Sequence, residues 1–218
     1  MTTLQATPTA QRAGNRPMGA LLASVSLVAG PALIALALAT FVDPWNGNQP
    51  DYGTINSRHT LLMWSFNLAA LSFPFLFGSV VAIAAAARRS RLTAGTGLAM
   101  SMLGLAAMYG NSMLSVPLVL MNGIDDHAGL DHLATRLDSP PLAVLWCFPL
   151  YFLGSVLLAV ALWRARSVPR WAAVGIGLGG FFPVAIVTGI GALALPIAAA
   201  RIAGSIPIVK SLLAARKS

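Results

Sequence analysis

The chain has 218 residues, 57% of them hydrophobic and 9% charged, with a mean hydropathy of +0.76. Soluble domains carry about 25% charged residues, so this composition excludes a water-soluble core, and several apolar windows exceed the ~18 residues that cross a bilayer. A net charge of +8 would suggest a nucleic-acid partner in a soluble protein; here the basic residues stand in short patches between apolar runs, which is how membrane topology is written, and no nucleic acid is expected.

In chain order, residues 1–17 read as a disordered cytoplasmic tail, and residues 18–218 as one transmembrane helical domain. The apolar run after the tail is ~24 residues, too long for a cleavable signal. Span one, 18–42, follows Arg12 and Arg16, which puts the N-terminus in the cytoplasm; Gly30-Pro31 predicts a kink that membrane helices tolerate. The loop 43–58 is rich in Gly, Pro and Asn and therefore in turns, and its Trp45 and Tyr52 suit a membrane interface. Span two, 59–87, opens on His59; helical spacing places His59, Met63, Phe66 and Asn67 on one stripe, and Pro74 predicts a second bend. The basic turn Arg88, Arg89, Arg91 marks the cytoplasm again. Span three, 93–121, is polar in its outer half, with Tyr109, Asn111, Ser112 and Ser115.

The stretch 122–140, NGIDDHAGLDHLATRLDSP, carries Asp125, Asp126, Asp131 and Asp138 together with His127 and His132, and 128–137 has the pattern of a short surface helix. Span four, 142–163, leads to the basic turn Arg164, Arg166, Arg170. Span five, 171–188, contains GIGLGG, whose small residues let membrane helices approach closely; no strand precedes it, so it is not a phosphate loop. Residues 189–213 form a sixth span if the basic tail (Lys210, Arg216, Lys217) is cytoplasmic, or an extension of span five if it is not. The expectation is an all-α polytopic bundle of six spans, five being possible, in a bacterial cytoplasmic membrane. All six Asp and all three His then fall outside, and nearly all Lys and Arg inside, with Arg58, Arg136 and the mid-membrane Arg201 as exceptions.

Polar groups within a span must avoid lipid, so Asn67, Asn111, Ser115 and Arg201 are expected to face the interior. An intramembrane Arg is a functional candidate, and no acid lies in any span to pair with it; a loop Asp, backbone carbonyls or an anionic ligand are its possible partners. Asp125 or Asp126, partly desolvated over a cavity, could act as a general acid with His59 and Asp131 as partners. Asn67, Tyr109, Asn111, Trp64, Trp146 and Arg201 would bind the substrate, and aromatic faces such as Tyr151 could hold developing cationic charge. His59, His127, Asp131 and His132 could ligate zinc, but with no HExxH and a single cysteine, Cys147, neither a metal site nor a cofactor is assigned.

The segment ALWRARSVPRWAAVGIGLGG at 161–180 resembles small actinobacterial membrane proteins of four to six spans, a likeness extending over about half the chain. Size, span count and available acids also resemble, more distantly, the small integral-membrane terpene cyclases, which start cyclisation with a membrane-facing carboxylic acid; this chain departs from them in having no Glu and no Asp within a span. What the likeness implies is acid–base chemistry, a cyclisation or isomerisation, on a lipophilic substrate. The alternatives are a small transporter, an accessory or immunity subunit, or a structural partner-binding subunit among membrane lipids, in any oligomeric state.

Overall fold

Amides inside hydrocarbon have no water to bond, so runs this apolar must pair their backbone within the segment and fold as helices. A computed structural model of the chain describes residues 16–41, 45–46, 49–120, 142–187 and 190–217. These are helical apart from short connections and one antiparallel bridge in which Trp45 pairs with Pro50 and Asn46 with Gln49. The helices are α1 (Arg16–Thr40), α2 (Tyr52–Ser57), α3 (His59–Ala86), α4 (Arg91–Leu120), α5 (Leu142–Ala165), α6 (Arg170–Leu178), α7 (Phe182–Val187) and α8 (Ala194–Lys217). Among the described residues four segments are long and apolar enough to cross a membrane: Met18–Thr40, His59–Ala86, Arg91–Gly110 and Gly191–Ala215; Pro149–Ala165 is a shorter apolar one.

Residues 191–215 form a helical segment of their own rather than a continuation of the one before. The fifth rod is not continuous: a 3-10 turn, Gly179–Phe181, separates α6 from α7. By contrast α1 and α3 continue through Pro31 and Pro74, and α5 and α8 through Pro149 and Pro207.

Packing order decides where a site can lie. α1 packs on α3 and on α8; α3 packs on α4, α4 on α5, α5 on α6, and α6 on α8. Those contacts close a ring, with one apolar core running through it, including Leu27, Leu76, Ile83, Leu105, Leu158 and Ile176. Glycines set the close approaches. A Cβ on Gly175 would lie 2.5 Å from the carbonyl oxygen of Ala200, and one on Gly204 at 2.5 Å from that of Ala172, so α6 and α8 meet backbone to backbone. A Cβ on Gly104 would run into the backbone nitrogen of Tyr151, and one on Gly154 into Ser101, which brings α4 equally close to α5. At the end of α5, Arg166 takes φ 49, and its N–H donates to the Trp163 carbonyl at 3.2 Å. That left-handed residue stops the helix and turns the chain into α6.

The short α2 caps the head of α3. Asp51 accepts hydrogen bonds from the Thr54 amide at 3.1 Å and the Thr54 hydroxyl at 2.7 Å, and Ile55 and Leu62 form a small cluster with Met63 and Phe66. The hydroxyl of Thr54, then its amide, holds the Asp51 carboxyl below its ordinary pKa. A depressed carboxylate stabilises its element above the unfolded pKa, and that contribution is lost as pH falls through the folded one. Amide exchange at residues 54–57 should therefore accelerate in that acid range. Asp51→Ala should raise it about fivefold at neutral pH, as for a lost helix N-cap; an unchanged rate would show that α2 is held without its cap.

Candidate functional site

Depth along the helices can be read from the basic turns, at about 1.5 Å per residue. Arg88 lies just past α3 and Arg91 begins α4, Arg164 is in the last turn of α5 and Arg170 begins α6, and Lys210 lies on α8. Measured from that basic end, Ser79 lies nine residues in on α3, Ser101 ten on α4, Ser155 nine on α5, Gly179 nine past Arg170, and Arg201 nine on α8. Five elements thus put a polar or smallest residue at one level, ~14 Å from the basic end, half of a ~30 Å hydrocarbon core.

Ser79 and Gly179 of this level stand against the Arg201 side chain, which is 1% exposed. Its Nη2 donates to the Ser79 hydroxyl at 3.3 Å; that hydroxyl donates in turn to the Leu76 carbonyl at 2.9 Å. The guanidinium carbon stands 5.8 Å from the centre of the Tyr151 ring, within cation–π range. Gly179 makes room for the stem: a Cβ there would lie 2.5 Å from Arg201 Cδ and 2.6 Å from Nη1. Ser155 sits against Gly180, next along the same 3-10 turn. Among the described residues, Arg201 Nε and Nη1 and the hydroxyls of Tyr151, Ser155 and Ser101 have no hydrogen-bond partner.

Chemically this is a cation with N–H bonds to spare beside an aromatic face, with the buried hydroxyls of Ser101 and Ser155 at the same distance from the basic turns. Asp51, at the head of α2, is the only acid among the described residues. An enclosed, unpaired charge costs several kcal/mol in a low-dielectric interior, so the arrangement favours an anion.

The other expected site residues fall elsewhere. Asp125, Asp126 and Asp131, with His127 and His132, lie outside the described residues, as does the expected helix at 128–137. Asn111 and Trp146 belong to α4 and α5, but their side chains are not among those described. His59 is the half-buried first residue of α3. Asn67 does not face the interior, contrary to expectation: it is exposed, on the same stripe as Trp64 and Leu71, while Leu62, Ser65, Phe73, Leu76 and Ser79 turn inward. The depth scale gives the reason. Asn67 is 21 residues from Arg88, ~31 Å from the basic end and at the far edge of the hydrocarbon, where an amide needs no protein partner. Trp64 lies a turn beyond, and Tyr109, 41% exposed and edge-on to Phe73 at 5.0 Å, lies close to the same edge. That distance from the basic end is where exposed aromatic rings suit a membrane interface, and neither Trp64 nor Tyr109 shares the level of Arg201.

Arg201 and the aromatic face of Tyr151 are legible in the sequence; the small residues at their level are not. Ser79, Ser101, Ser155 and Gly179 look like ordinary small residues of packed helices; their common distance from the basic turns is the signal that would have grouped them. Among the described residues no three His, Cys, Asp or Glu side chains cluster as metal ligands.

No family model, curated protein or solved structure matches the chain.

Proposed function

We propose that the protein is a carrier that binds the anionic group of a lipophilic small molecule at Arg201, within a bundle crossing the bacterial cytoplasmic membrane six times with its N-terminus inside. The supporting observation is the enclosed guanidinium, with two nitrogens unpartnered among the described residues, half a hydrocarbon core from the basic turns. Carriers hold their substrates near the bilayer midplane, against helices broken at the site. Here the fifth rod breaks at Gly179–Phe181, on the residue that touches Arg201. Ser79 and Tyr151 would hold the guanidinium in place, and Ser155 and Ser101 would supply further donors.

The reading is tested in proteoliposomes with laurate as probe and dodecanol, its uncharged counterpart, as control. Protein-dependent uptake is expected for laurate only, and loss of it in Arg201→Met. Equal uptake of both, or none of either, would remove the carrier reading.

A second reading is the acid–base enzyme, with Asp125 or Asp126 as acid, His59 and Asp131 as partners, and a cyclisation or isomerisation as the reaction. Its support is the ordered outer end, where α2 and the Ile55–Leu62 cluster hold the head of α3. Depth separates the two readings. His59 is 20 residues from Ser79, ~30 Å along α3, so chemistry at the rim would act at the outer headgroup level and not on a group held at Arg201. Under the enzyme reading, Asp125→Asn with Asp126→Asn abolishes turnover while laurate uptake persists; under the carrier reading alone, the pair leaves uptake within about twofold of the parent protein.

A further inference from the structure

The groove between α5 and α6 lies on the outside of the ring, in the half nearest the basic end, and has a volume of about 520 Å³. Its walls are Val156, Ala159 and Val160 on one side and Ala173, Val174 and Gly177 on the other. Trp163 and Arg164 stand at its mouth. Arg170 closes over the indole, with its guanidinium carbon 5.3 Å from the centre of the Trp163 ring. Both arginines are exposed, and Arg166 lies in the turn between them. The floor runs from Trp163 to Val156, ~10 Å down the helix, so one end meets the headgroup level and the other the acyl region.

We propose that this groove binds an anionic phospholipid, one acyl chain lying along Val156, Val160 and Val174 and the phosphate held by Arg164 and Arg170 at the mouth. Charge selects the occupant. No acid occurs in 142–218, so nothing in these two helices or their turn offsets the three arginines. A second copy docking by this face would set basic turn against basic turn, whereas a lipid phosphate complements it. Each cation near a membrane surface favours anionic lipid appreciably, and a basic pocket between helices concentrates the effect. Trp163 contributes an amphipathic ring at headgroup depth, where indoles concentrate, and stacking fixes Arg170 in reach of the same phosphate. A planar guanidinium can also bind phosphate through two N–H bonds, which lysine cannot. The inference is independent of what Arg201 binds.

Native mass spectrometry of the detergent-purified full chain, titrated with dioleoyl phosphatidylglycerol or dioleoyl phosphatidylcholine, tests it. Phosphatidylglycerol should be retained about tenfold more tightly. Arg164→Gln with Arg170→Gln should bring the two lipids to near parity, while Arg164→Lys with Arg170→Lys should keep part of the preference and show that the fold is intact. Val174→Trp fills the groove from its exposed rim and leaves the charges untouched; it should also cut phosphatidylglycerol retention several-fold. Inorganic phosphate at equal concentration should not compete. Equal retention of both lipids by the parent protein would overturn the proposal. So would displacement by inorganic phosphate, a preference unmoved by both the Gln pair and Val174→Trp, or a dimer in the parent spectrum that Val174→Trp dissociates.

Discussion

Arg201→Met is expected to abolish binding of a lipophilic anion and, at the same time, to stabilise the fold. Both effects come from one feature. The guanidinium is enclosed, donates one long bond to Ser79, and has Nε and Nη1 unpartnered among the described residues. Exchanging buried ionic groups for well-packed apolar ones of similar volume often gains about 1–4 kcal/mol. Methionine is flexible enough to fill the space between Tyr151 and Gly179. A bound anion loses its cationic partner, however, and breaking a buried charge pair costs about 3–5 kcal/mol, a hundredfold or more in affinity. Thermal midpoints and laurate binding measured on the same preparations give the two signs. Arg201→Lys should restore some binding, since it keeps the charge. Gly179→Ala should weaken binding by about tenfold with little loss of fold, because its methyl group meets the flexible Arg201 side chain rather than backbone. If Arg201→Met lowered stability by several kcal/mol, the charge would be satisfied in the native protein by a group of the chain itself.

The second large effect lies at the glycines that bring α4 onto α5. Gly104→Ala would drive its methyl into the backbone of Tyr151, and Gly154→Ala into the amide and hydroxyl of Ser101. The backbone atoms of Tyr151 and Ser101 cannot rotate away, so the helices must separate. Overpacking of this kind costs about 1–3 kcal/mol, with the upper end expected because both contacts are to backbone. Tyr151 faces Arg201, so separation would also loosen the site. Gly19→Ala and Gly95→Ala are the internal controls: nothing lies within 4 Å of either added methyl group, and alanine is the better helix former by about 1 kcal/mol. Denaturation of the four variants in one detergent should rank Gly104→Ala and Gly154→Ala well below the parent and the two controls at or above it. Four equal midpoints would mean that close α4–α5 packing does not hold the bundle together.

The contrast between Gly104 and Gly95 shows what could be read from the chain alone. Helices follow from apolar length and backbone pairing, which are local, so the boundaries expected at His59 and at the basic turns agree with α3, α4 and α6 to within a few residues. GIGLGG was recognisable as a packing surface because Gly175 does the same work in any close crossing. Which glycine meets a backbone, and which meets nothing, depends on the ring order of the helices, and spacing does not carry that. The same holds at the site. Arg201 stands out as a charge in an apolar run, but Ser79, Tyr151 and Gly179 come to it from three other elements, and only a three-dimensional register assembles them. The polarity of Asn67 points to the interior, but its distance from the basic end, about a full hydrocarbon core, lets the amide stand exposed.

The most direct measurement is a high-resolution electron cryo-microscopy map of the full chain held in lipid nanodiscs with laurate, read at the Arg201 side chain. The carrier reading predicts density for a carboxylate within hydrogen-bond distance of Nε or Nη1, and its disappearance with dodecanol in place of laurate. An Asp125, Asp126, Asp131 or Asp138 carboxylate of the same chain seated on that guanidinium, with and without laurate, would contradict it: Arg201 would then be half of an internal ion pair and not a receptor for anions.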